Sequence, residues 1–207
     1  MKKRTISLAA VMFCFALAGS ATAATYSYTG GPLAITEGGW VYANIDVAGD
    51  LGNISDVNVF VNIEHTSIAD LDIYVAHLGK WVQLYNESDK YYQNDMAGVL
   101  FDDQALTYID DPALSPPYGP GSYKPAFLGP DESADTNLLS FFNDDPVAGT
   151  WTLALWDNWA TETGTLLDFR VDITDDVPSS AVPLPGAIVL FGSGLGAVAG
   201  LRRRRQK

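Results

Sequence analysis

Residues 57–64 alternate strictly: Val57, Val59, Val61 and Ile63 are branched and apolar, while Asn58, Phe60, Asn62 and Glu64 stand between them. Side chains two residues apart share a face only in an extended strand, so this stretch predicts a strand with one buried face. Leu71, Ile73 and Val75 alternate with Asp72, Tyr74 and Ala76 in the same way. Trp81–Tyr85, a run ending at Phe101, Thr150–Trp156 and Leu166–Ile173 are equally short and rich in branched or aromatic residues. Gly, Asn, Asp or Pro bounds them, and no long window has a helical period. An all-β fold follows, a β-sandwich or jelly roll. The stretch from Asp111 to Asp131 carries Pro112, Pro116, Pro117, Pro120, Pro125 and Pro130 and predicts a long irregular loop.

Both ends of the chain must be set aside before the fold is argued. Lys2, Lys3 and Arg4 precede an apolar run, Ile6 to Ala18, and then Ala21-Thr22-Ala23. Basic, apolar and small-residue segments in that order predict a signal peptide over residues 1–23, cut after Ala23. The only cysteine, Cys14, lies inside it, so the mature chain is expected to have neither disulfides nor thiolate metal ligands. A β-sandwich domain is expected over 24–178, large enough for one sizeable core. Its charge is lopsided. The body holds Lys80, Lys90, Lys124 and Arg170 against all 25 acidic residues, a net charge of −21. Such a surface repels nucleic acid and anionic membranes and favours cations.

The tail, residues 179–207, has its own grammar. Val182-Pro183-Leu184-Pro185-Gly186 leads into an apolar run that ends at Leu201, and Arg202 to Arg205 follow at once. As a helix, 185–201 measures about 25 Å, enough to cross a bilayer at the short limit. The arginines would stay cytoplasmic and the body outside. Gly192-Ser193-Gly194-Leu195-Gly196-Ala197 fits a dinucleotide-binding pattern, but it follows no predicted strand, and its glycines instead give a helix a small-residue face. Motif, apolar helix and arginine cluster together resemble the PEP-CTERM sorting signal of Gram-negative bacteria. Leu184 stands where that family usually has Glu. The resemblance implies handling by an exosortase-type membrane protease and a secreted or cell-surface product, reached through transient anchoring in the inner membrane.

Seven ordered pieces of the body carry a second resemblance. They are Val59 to Thr66, Ala69 to Ile73, Phe101 to Ala105, Gly121 to Pro125, Gly149 to Leu153, Trp156 to Asn158 and Thr163 to Leu166. In this order they resemble the P domain (P/Homo B). That resemblance implies a jelly-roll β-sandwich, which in its family commonly accompanies a subtilisin-like serine protease and also occurs alone in secreted bacterial proteins.

Catalysis has little support in these residues. The body has two histidines, His65 and His77, and no Gly-x-Ser-x-Gly context, so a Ser-His-Asp triad is not indicated. No carboxylate pair stands out for glycoside hydrolysis. Calcium is the better expectation, since it takes six to eight oxygen ligands from loops. Asp70, Asp72, Asp102 and Asp103 are the candidate ligands, with Asn94 and Asp95 close in sequence; the Asp-Leu and Phe-Asp-Asp pieces resemble calcium-binding positions of some bacterial P domains. Sugar binding is a further possibility, with Trp159, Tyr91, Tyr92, Tyr118 and Tyr123 in predicted loops, whereas Trp151 and Trp156 read as core or strand-edge residues. The function expected is therefore a non-catalytic surface or matrix interaction module. The alternatives are an accessory partner for a separate secreted protease and a module that binds exopolysaccharide.

Overall fold

A computed structural model describes residues 23–87, 94–114, 117–126, 134–159 and 162–177. Ten strands run through them: β1 (Ala23–Ser27), β2 (Leu33–Ile35), β3 (Trp40–Val47), β4 (Ile54–His65), β5 (Leu71–His77), β6 (Lys80–Tyr85), β7 (Met96–Phe101), β8 (Gly121–Tyr123), β9 (Gly149–Asp157) and β10 (Gly164–Asp175). One sheet has the order β1-β10-β4-β7-β8, with β2 also on β10; the other has the order β3-β9-β5-β6. All strand pairs are antiparallel except β7 with β8. The fold is an all-β sandwich. The described residues fall within one unit, Ala21–Val177; the other, Met1–Ser20 with Pro178–Lys207, lies outside them, and so do most of the expected signal peptide and the whole sorting tail. Among the described residues no helix is long and apolar enough to cross a membrane.

The alternation read from the sequence sets the core. Val57, Val59, Val61 and Ile63 of β4 are all buried, and Phe169, Val171 and Ile173 of β10 join them. From the other sheet come Val41, Ala43, Ile45 and Val47 of β3 and Trp151, Leu153 and Leu155 of β9. Burying each Val, Ile or Leu contributes about 1.5–3 kcal/mol. Trp151 stacks on His77 of β5 with centroids 4.1 Å apart and planes 9° from parallel, and Phe142 meets the indole edge-on at 5.1 Å.

Two local features depart from the reading. The proline-rich stretch does contain a strand: β8 pairs with β7 from Gly121 to Tyr123, between its prolines, where backbone N–H groups are available. β1 starts at Ala23, which pairs with Thr174, so cleavage after that residue would leave Ala24–Ser27 of the strand.

Candidate functional site

β4 ends at His65 and β9 ends at Asp157, and both side chains point into the sandwich. His65 Nε2 lies 3.3 Å from Asp157 Oδ2, with both side chains fully buried. The pair ties the two sheets together, since β4 and β9 belong to different ones. The other ring nitrogen, Nδ1, is 2.8 Å from the Ser67 carbonyl oxygen and 3.1 Å from the Ser67 amide nitrogen. Protonated, Nδ1 donates to the carbonyl; bare, it accepts from the amide. Gly164 backs the ring so closely that a Cβ there would come within 2.2 Å of His65 Cδ2.

Burial pushes the Asp157 carboxyl above its ordinary pKa, and the charge of Asp70 adds to that; the Trp159 amide and the His65 ring oppose it. As placed, both ring nitrogens of His65 are engaged by the protein itself, Nε2 with Asp157 and Nδ1 with Ser67.

Beside it opens a cleft of about 340 Å³, lined among others by Glu64, Thr66, Asn94, Asp95, Thr163 and Thr165. Asp95 accepts the His65 backbone N–H at 2.9 Å, Thr66 donates to Glu162, and the Thr163 amide donates to Thr66 Oγ1 at 3.1 Å. The lining is oxygen-rich, and several of its oxygens are already engaged in holding the loops.

The four carboxylates expected to bind calcium are split between the two ends of the sandwich. Asp70 and Asp72 lie at the His65 end, where the Asp70 carbonyl accepts the Asn158 N–H and Asp72 pairs across the sheet with Trp156. Asp102 and Asp103 follow β7, which runs antiparallel to β4, and so emerge near Asp56. From Asp56 to His65 is about 30 Å along the strand. Asp72, Asp102 and Asp103 also accept hydrogen bonds from the protein. Asp72 accepts from the Glu87 amide at 2.9 Å and from Asn158 Nδ2 at 2.8 Å. Asp103 accepts the Leu139 and Ser140 amides at 3.0 and 2.8 Å, and Asp102 accepts the Gln104 amide at 2.6 Å. These four residues do not fit a single calcium site, and among the described residues no group of three or more His, Cys, Asp or Glu is arranged to hold a metal ion. Asp56, crowded by Asp102 and Asp103, has its carboxyl pKa raised, first by burial and then by those charges, against the Gln104 hydrogen bond.

The aromatic residues are also redistributed. Tyr118 is buried, Tyr123 is half-buried and Trp159 is 62% exposed; Tyr91 and Tyr92 lie outside the described residues. Val182, Pro183, Leu184, Pro185 and Gly186 of the sorting motif lie outside them too. Trp151 is core, as expected, whereas Trp156 faces outward opposite Trp40. Trp40 and Tyr42 were not among the sugar-binding candidates, although Val41, Ala43, Ile45 and Val47 alternate with them and place both rings on the outer face.

No protein-family model matches the chain, and no curated protein matches it in sequence.

Proposed function

We propose that the chain is an exported, non-catalytic interaction module of jelly-roll, P-domain type that works at the cell surface or in extracellular polysaccharide. The strand orders β1-β10-β4-β7 and β3-β9-β5-β6 support the jelly-roll reading, because winding two Greek keys across two sheets produces this alternation. The single observation that carries the export reading is a cysteine-free, strongly acidic sandwich between an N-terminal basic-apolar segment and a C-terminal apolar-basic one. On this reading an exosortase-type protease handles the tail, and the inner membrane holds the chain only in transit. A charge of −21 on the body keeps it away from nucleic acid and anionic lipid.

The test is the intact mass of the product recovered from culture medium of an exosortase-bearing host, beside a tail-deleted chain. The expected product starts at Ala24 and has lost the arginine cluster. A full-length, uncut chain in the cytosol overturns the proposal. A pull-down from the same medium that recovers a secreted protease moves the assignment to an accessory domain of that enzyme.

A further inference from the structure

We propose that the outer face of the four-stranded sheet around Trp40, Tyr42 and Trp156 is a binding platform for a neutral polysaccharide; this deepens, and rests on, the reading of the chain as a binding module. Trp40 and Trp156 are paired across β3 and β9, with ring centroids 5.3 Å apart. Tyr42, two residues along the same strand, lies nearly parallel to Trp40, with planes 17° apart and centroids 6.1 Å apart. Tyr74 of β5 packs under Trp40 at 5.6 Å. The rings therefore form one continuous patch, and Trp40 and Tyr42 keep 40% and 49% of their surface in solvent.

Outward positions elsewhere on this protein are treated differently. Further along β3 they are Asn44 and Asp46, hydrogen-bonded to Thr152 at 2.9 Å and Thr150 at 2.7 Å. On the other sheet the outward ring of Phe60 is covered by the Arg170 guanidinium, 3.6 Å from its centroid. At the Trp40–Tyr42 corner, by contrast, the rings are left open to solvent.

That corner is also held rigid. Trp156 Nε1 donates to Asn158 Oδ1 at 2.5 Å, Asn158 Nδ2 donates to Asp72 Oδ2 at 2.8 Å, and Asp72 Oδ1 accepts the Glu87 amide at 2.9 Å. The indole is fixed before any ligand arrives, which removes part of the entropic cost of binding. Asp72 and Asn158 thereby become positioning residues for Trp156.

The chemistry selects the ligand. A pyranose ring offers an apolar C–H face to stack on an aromatic plane and hydroxyls around its rim to hydrogen-bond with amides and hydroxyls. Rings bordered at once by Asn44, Thr152 and Asn158 match that pattern. A stable protein interface needs about 800 Å² per partner around an apolar centre, more than three partly exposed rings supply. The surplus of carboxylates disfavours uronates, sulfated chains and nucleic acid, so the platform suits uncharged sugars.

The experiment is titration of the purified full chain with cellohexaose, mannohexaose, chitohexaose and an alginate hexasaccharide, followed by tryptophan emission and calorimetry. Binding of at least one neutral hexasaccharide and none of alginate is expected. Trp40→Ala and Tyr42→Ala each weaken it about tenfold or more. Asp72→Asn weakens it less, with a shift in Trp156 emission. Leu106→Ala, at a fully exposed apolar residue elsewhere, leaves it unchanged. Melting curves check that each variant is folded; if Trp40→Ala is not, Tyr42→Ala decides. No binding of any neutral hexasaccharide, preference for alginate, or undiminished binding by the folded aromatic variants overturns the platform, as does capture of a protein partner through these rings. Each of those results leaves export to be judged by the secreted mass, and an uncut cytosolic chain leaves the platform to be judged by titration.

Discussion

His65 Nε2 faces Asp157 Oδ2 at 3.3 Å across the interior, joining the end of β4 in one sheet to the end of β9 in the other. Burial raises the Asp157 pKa, so the folded chain holds this proton more tightly than the unfolded chain does. The associated stability is present below the ordinary aspartate pKa of about 3.9 and is lost as pH rises through the raised value. Asp157→Asn removes that ionisation. Melting temperatures of the two proteins are expected to shift in favour of Asp157→Asn as pH rises from about 4 through the raised value and to run parallel above it. A difference independent of pH contradicts the assignment.

Asp103 caps the short 3-10 helix Leu139–Phe142 by accepting two of its backbone amides. Asp103→Ala leaves both donors without this acceptor and is expected to cost about 1–2 kcal/mol in urea denaturation. The loss should be equal in EDTA and in millimolar calcium. A loss seen only with calcium makes Asp103 a metal ligand instead.

Leu78 has φ +50° and Gly79 φ +82° in the two-residue turn between β5 and β6. Both central positions of such a turn are left-handed, which suits Asn-Gly and strains a leucine. Leu78 is also largely exposed. Leu78→Asn is expected to stabilise the protein by about 1 kcal/mol, read as a higher urea midpoint. An unchanged or lower midpoint shows that the leucine side chain contributes more than the turn loses.

Gly164 tests the packing around the histidine. An added methyl group would meet the His65 ring and come within 2.7 Å of the Glu64 carbonyl. Gly164→Ala is expected to destabilise by about 1–3 kcal/mol. Gly119→Ala, with open space around the new methyl, serves as the comparison and should be near neutral. Equal melting points for the two variants would contradict the tight backing of the ring.

In β4 and β10 period-two alternation was enough to say which side faces inward, because a strand admits only two faces and apolar side chains take the dry one; β5 is buried on both faces, so alternation could not decide there. Val57 to Ile63 were read that way and are buried. The all-β class follows from the same local rule. Partner choice is another matter. Asp70 and Asp102 look interchangeable along the chain, yet the antiparallel course of β7 against β4 sends them to opposite ends of the sandwich. Trp40 and Trp156 lie far apart in sequence and become neighbours only through the β3–β9 register. Local propensity acts over a few residues, whereas sheet order depends on how every strand closes its hydrogen bonds at once, and that is decided only when the whole domain folds.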